Sequence, residues 1–236
     1  MTCHGMGGGW LAATAVGFLA ATAAAAAPEM PPPGNSAWEP LHFNNVGRHT
    51  DYTTVESEEK RWLRSDSDCA ASALLLPLGG VDLAQTPLLQ WRWRVDDPLE
   101  IEDERSKPGD DFAARVYLLF PFEREHSSFF GRIRRGIARA LYQRELPGSA
   151  LIFVWSSSEP VGAEWTNPHA EDSHMRVLGT GNGGHWQQAS VDVPAEYLSA
   201  FGRPARNPVG LALMTDSDNS CQRAAARFAD FGFATR

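Results

Sequence analysis

The chain has 236 residues, with 21 Lys and Arg against 29 Asp and Glu and a formal net charge of −8. That acidic balance excludes general nucleic-acid binding, which needs a basic footprint. Hydrophobic residues make up 43% of the chain, enough for one sizeable core without a second.

In chain order, residues 1–27 read as a cleavable signal peptide. Trp10 to Ala27 contains no charged residue and is mostly Ala, Leu, Val, Phe and Gly. Its length suits a signal core of about 7–15 residues, and it is too short and Ala-rich for a membrane span of about 20. Ala23 to Ala27 supply the small residues of a cleavage site. Met1 to Gly9 has His4 but no Lys or Arg. This departs from the usual positive start and leaves a retained anchor as the alternative. Cys3 precedes the apolar run, so it is no lipobox cysteine. Export implies a periplasmic or secreted protein. Pro28, Pro31, Pro32 and Pro33 predict a Pro-rich extended linker over 28–37, ahead of one domain over 38–236.

Strand-like runs follow at Trp38–Phe43, Asp51–Glu56, Arg61–Ser65, Ala70–Leu76, Leu88–Val95 and Ala113–Phe120. More come at Ser149–Ser156, Met175–Gly179, Trp186–Val193, Pro208–Thr215 and Ala225–Phe233. Gly, Pro, Asn and Asp separate most of them. Many short strands with turn signals predict a mostly β chain, an antiparallel β-sandwich of jelly-roll type. Trp91, Trp93 and Val95 share one face of their strand, and Arg92 and Arg94 the other. Phe112, Ala114, Val116, Leu118 and Phe120 are expected together on a core face, opposite Asp111, Arg115 and Tyr117. Leu151 to Ser156 is apolar on both faces for most of its length, as a central strand would be.

Two segments break the β pattern. Phe129 to Glu145 places Phe129, Phe130, Ile133, Ile137, Ala140 and Leu141 at helical spacing, with five arginines opposite. This amphipathic helical insertion (129–145) either caps the sandwich with its arginines in water or meets an anionic membrane surface. A second, short helix is predicted over Ala195–Phe201. Cys69 and Cys221 remain after leader removal. In an oxidising compartment they form either a disulfide or two separately buried thiols.

Four stretches resemble an uncharacterised bacterial exported family, domain of unknown function 3047. They are Leu88-Leu-Gln-Trp-Arg-Trp-Arg-Val95, Gly109-Asp-Asp-Phe-Ala-Ala-Arg-Val-Tyr117, Phe153-Val-Trp155 and Met214-Thr-Asp-Ser-Asp-Asn-Ser220. The resemblance covers nearly all of the chain beyond the leader. It departs at Arg64-Ser65-Asp66-Ser67, where the family tends to Arg-Ala-x-Ser, and at Ser220, where it tends to Thr. It implies a grouping and no activity.

Three constellations could carry chemistry. Arg92, Arg94, Asp110, Asp111 and Arg115 form either a polar face for an anionic or hydroxyl-rich ligand, or a solvated face with cross-strand ion pairs. Asp216, Asp218 and Asn219 suit a hard cation such as Ca²⁺, with Asp230 as a further donor, or else a turn held by Asx hydrogen bonds. Trp155, Trp165 and Trp186 are either sugar-stacking platforms or core rings. His169, His174 and His185 match no helical zinc spacing, and no Gly-x-Ser-x-Gly elbow is present. Asp111 and Asp216 could supply a carboxylate pair for glycoside hydrolysis. The preferred function is a non-catalytic binding domain for a carbohydrate or other polar ligand. The alternatives are a hydrolase or lyase acting on a glycan, and an envelope interaction protein using the Arg-rich helix.

Overall fold

A computed structural model describes residues 1–2, 30–44, 46–56, 61–122 and 147–236. The expected leader core and the expected helix over 129–145 lie outside the described residues. Among the described residues no helix is long and apolar enough to cross a membrane.

Among the described residues, twelve strands and one helix occur in the order β1 (Glu39–His42), β2 (Asp51–Glu56), β3 (Arg61–Asp68), β4 (Ala71–Pro77), β5 (Leu88–Asp97), β6 (Ala114–Pro121), β7 (Pro147–Ser156), β8 (Glu164–Thr166), β9 (Ser173–Thr180), β10 (Gln187–Asp192), α1 (Val193–Phe201), β11 (Gly210–Asp216) and β12 (Arg223–Ala234). Every strand expected from the sequence is present. Only β8 was not anticipated, because its three residues are too few to alternate visibly. Residues 31–37, expected as an extended linker, instead fold into turns, with Asn35 N–H bonded to Pro32 O and Trp38 N–H to Asn35 O.

The strands form a seven-stranded sheet, β1-β4-β11-β6-β7-β9-β8, and a five-stranded sheet, β10-β5-β12-β3-β2. Consecutive β3 and β4 fall in opposite sheets, as do β11 and β12. Because β3 pairs with β12 and β4 with β11, one ribbon rolls across both layers, which is the jelly-roll connection. Pairing is antiparallel except for β7 with β9. β7 lies between β6 and β9, as its two apolar faces require.

The core between the sheets is aromatic. Trp93 packs edge-on against Trp91 (5.5 Å) and Trp155 (5.9 Å), and Trp91 lies 5.5 Å from Phe153. At one end of the sandwich the interior becomes polar. Ser65 of β3 and Thr215 of β11 share a 2.7 Å hydrogen bond, as do Ser67 and Ser217. The outer face of the larger sheet carries a second apolar cluster, including Leu75, Tyr117, Ile152 and Met214. A one-sided sandwich would leave that face wet; here loops cover it, and the candidate site lies among them. Helix α1 starts on an Asp192 N-cap that accepts from Ala195 N–H and stops at Gly202, φ 66°.

Cys69 and Cys221 are joined in a disulfide, 152 positions apart in sequence, just after β3 and just before β12. Such a closed loop restrains the unfolded chain. Reduction with dithiothreitol is expected to lower unfolding stability by about 2–4 kcal/mol, read as a fall in the urea midpoint. A midpoint unchanged by reductant would count against the pairing.

Candidate functional site

The site is built on β6. Ala114, Val116, Leu118 and Phe120 face the sandwich interior, so Arg115 and Tyr117 face outward. Phe112 was expected to share the inner face, but it belongs to the outer cluster. The strand begins only at Ala114, and Asp111 N–H turns back to Gly109 O, so the alternation is broken before β6. That same bend sets the charges. A partner along the strand for Arg115 would be out of reach, but Asp110, folded back, is not.

Arg115 is 2% exposed. Its Nη2 donates to Asp216 Oδ2 (2.8 Å) and to the Asp110 carbonyl (2.8 Å). Its Nη1 donates to the Asp110 carboxylate at 3.3 and 3.4 Å and to the Tyr117 hydroxyl at 3.1 Å. The guanidinium rests over the Phe112 ring, 4.5 Å from its centroid. Asp216 arrives from β11, whose Met214 lies opposite Arg115 in register. Burial pushes the Asp216 carboxyl well above the usual aspartate range; Arg115 pulls it back, and Asp111, Asp110 and Asp218 push it up again. Burial likewise raises the Tyr117 phenol, against the pull of Arg115.

Asp111 takes a different part. Its two oxygens accept the backbone N–H groups of Asn219 (3.3 Å) and Ser220 (2.7 Å), which fastens the turn between β11 and β12. Asp111, Asp216 and Asp218 each bring a carboxylate oxygen within 4.8 Å of the other two, an oxygen-only donor set of the kind hard cations take. Asn219, expected in that set, lines the same cleft as Asp216 and Asp218, and its Nδ2 donates to Lys107 O. Asp230, expected as a further donor, pairs with Arg92 on the other sheet. The set suits a cation only partly, since Asp216 is already bound to a guanidinium and both Asp111 oxygens are occupied.

Opposite Arg115 the loop joining β8 to β9 closes the site. Asn167 organises it: its side chain accepts from His169 N–H (2.8 Å), and its backbone N–H bonds Ser173 O (2.8 Å). His169 Nε2 lies 3.7 Å from Asp110 Oδ2. Ser173 is 1% exposed, and its hydroxyl has no hydrogen-bond partner. Together these groups line a cleft of about 80 Å³ whose apolar wall includes Phe43, Val46, Ile152 and Met214.

Arg115, Asp110 and Asp216 therefore converge, with Asp111 just behind. Arg92 and Arg94 do not. They lie on the outer face of the five-stranded sheet, paired with Asp230 and Asp96, because their strand belongs to the other layer. Trp155 is 2% exposed in the core and donates to Gly181 O, so it offers no stacking surface. Trp186 sits under Arg92 on that same distant face. Trp165 packs near Phe112 with its face covered by Arg105, beside the cleft rather than in its lining. His174 and His185 have partners elsewhere, Glu164 and Gly183 O. Asn167 and Ser173 were not singled out from the sequence, since Asn167 sits in a loop and Ser173 opens β9, and what they face depends on where β9 pairs.

Glu104, also unanticipated, anchors the loop that carries Asp110 and Asp111. Its carboxylate accepts from Ser156 Oγ and from Ser157 N–H. Burial raises this carboxyl above the ordinary range. The folded state thus keeps its proton to a higher pH than the unfolded state, whose carboxyl titrates near about 4.3. This contribution to stability is complete below that pH and declines as pH rises through the folded value. Unfolding curves of wild type and Glu104→Gln between about pH 4 and pH 7 should show wild type losing stability relative to the variant; parallel curves would refute this. Arg115→Met leaves Asp110 and Asp216 buried without their cation. It is expected to cost about 3–5 kcal/mol near neutral pH, with a smaller loss under acid as the carboxyls protonate. A cost under about 1 kcal/mol would place the group in water instead.

No match was found among curated proteins. Among solved structures, a Cel12A cellulase derived from that of Rhodothermus marinus is 11% identical, with 85% of this chain and 97% of that chain covered and a TM-score of 0.44. A family 30 carbohydrate-binding module of a Clostridium thermocellum cellulosomal cellulase is 12% identical, with 84% and 94% covered and a TM-score of 0.40. The xyloglucanase domain of NopAA from Sinorhizobium fredii, solved with cellobiose, is 10% identical, with 85% and 99% covered and a TM-score of 0.40. From residue 36 to residue 232 the chain matches, and belongs to, the family described as protein of unknown function DUF3047.

Proposed function

We propose that this protein is an exported binding domain and that the cleft on the outer face of the seven-stranded sheet receives a polar, hydroxyl-bearing ligand such as a carbohydrate. One observation carries this: an apolar wall of Phe43, Val46, Ile152 and Met214 stands against Asp110, Asn167, His169 and Ser173 in the same cleft. A sugar ring has the matching two-sided character, with C–H groups on one face and hydroxyls at its edge. The volume of about 80 Å³ matches a few waters, so the cleft takes one ring edge or a chain end rather than the length of a polymer. The Cys69–Cys221 disulfide suits an oxidising compartment.

A second possibility, hydrolysis or elimination on a glycan, is favoured by the burial that raises the Asp216 carboxyl well above the usual aspartate range, the direction a general acid needs. Against it, both Asp216 oxygens already accept hydrogen bonds, one from Arg115 and one from Phe112 N–H, so neither is free to deliver a proton into the cleft. Binding is therefore preferred. The test is titration of the protein with monosaccharides and short oligosaccharides, followed by amide chemical shifts. Shifts are expected to cluster at residues 110–117, 167–173 and 214–219, and Ser173→Ala should weaken them. Shifts confined to the five-stranded sheet would move the site elsewhere. New reducing ends, released by wild type and abolished in Asp216→Asn, would replace binding with catalysis.

A further inference from the structure

We infer that the group held in this cleft is cationic: an ammonium carried on a hydroxylated body, as in an amino sugar. The inference rests on the binding role proposed above and deepens it by fixing the ligand's charge. The arginines in the sequence left an anionic or a hydroxyl-rich ligand open, and the geometry argues against the anion.

The charges that line the cleft are unequal. Asp110, Asp216 and Asp218 contribute carboxylates, Arg115 is the guanidinium, and His169 is the imidazole. Arg92 and Arg94 are absent from it. Arg115 is also fully committed on both terminal nitrogens, to Asp216, Asp110 and Tyr117, so no terminal N–H is left to meet an anion. Its Nε is buried and without a hydrogen-bond partner, a single N–H against the several carboxylate oxygens of the lining.

Two acceptors remain for a donor-rich ligand. The Asp110 carboxylate receives Arg115 only at 3.3 and 3.4 Å, longer than the roughly 2.7–2.9 Å of a well-made charge-assisted bond, and His169 stands at 3.7 Å. Its lone pairs are underused. The second acceptor is Ser173 Oγ, buried and without a hydrogen-bond partner. Ser173 shares the face of β9 with Met175 and Val177, which belong to the outer apolar cluster, so its hydroxyl points to the cleft side of the sheet. A buried hydroxyl with no partner costs about 1–3 kcal/mol, and a ligand N–H would remove that penalty. An ammonium has three donors and no acceptor, and this carboxylate and hydroxyl would take two of them. The Phe43 and Tyr117 rings and the Met214 thioether beside them are soft surfaces that tolerate a cation.

Calorimetric titration of the whole protein with D-glucosamine, D-glucose, N-acetyl-D-glucosamine and calcium chloride separates the outcomes. D-Glucosamine is expected to bind at least about tenfold more tightly than the two neutral sugars, the factor for one added charge-assisted bond. Asp110→Asn and Ser173→Ala should each remove most of that advantage, with unchanged circular dichroism establishing that the variants fold. Equal affinity for D-glucosamine and D-glucose, with both lost in Ser173→Ala, would overturn the charge inference and leave the binding role intact. No binding of any sugar by wild type would overturn both. Calcium that binds alone and excludes D-glucosamine would also overturn the inference, by giving the carboxylates to a metal.

Discussion

Arg115 places a permanent charge on the outer face of β6, where only 2% of the residue is exposed. A guanidinium cannot shed its proton at any ordinary pH, so the surrounding chain must supply anions or bear several kcal/mol of lost hydration. Much of the local architecture answers that demand. Asp216 is delivered by the neighbouring strand β11, and Asp110 by the bend that ends at Ala114. The bend turns Phe112 under the guanidinium and directs Asp111 to the turn after β11. One buried cation thereby connects the start of β6, the end of β11 and the loop between β5 and β6.

That arrangement also decides what the cleft can recognise. An arginine in a sequence suggests an anion-binding group, and here it is consumed by the protein's own carboxylates. What remains for a ligand is a set of acceptors, backed by apolar side chains. The outer face of the five-stranded sheet shows the opposite case. There Arg92, Arg94 and Arg227 pair with Asp230 and Asp96, with Arg92 over Trp186 and Arg227 over Trp62. Those pairs are partly hydrated, and each contributes little. Charge of either sign is abundant in both places, but only the cleft combines it with burial, an apolar wall and an unsatisfied hydroxyl.

The period of the sequence was a reliable guide wherever strands ran straight. Trp91 and Trp93 against Arg92 and Arg94 and the two apolar faces of β7 follow from local side-chain direction, and the helix expected over Ala195–Phe201 is present, beginning two residues earlier at Val193. The alternation failed at Phe112, because a bend resets which face a residue occupies, and bends depend on loop hydrogen bonds such as Asp111 N–H to Gly109 O. Trp155 and Trp186 could not be sorted into core and surface by composition alone, since an indole suits both.

By itself the sequence determined the β class, the succession of strands, the family and the short list of charged residues in which Arg115, Asp110 and Asp216 appear. These depend on nearest-neighbour chemistry along the chain. Only the tertiary structure decided that Arg115 parts company from Arg92 and Arg94, that Asp110 rather than Asp111 is its near partner, and that Ser173 and Asn167 join them. Those facts depend on which sheet each strand enters and on pairings such as β6 with β11, made between residues about a hundred positions apart. A two-residue period specifies a side chain's face and carries no information about which strand will lie beside it.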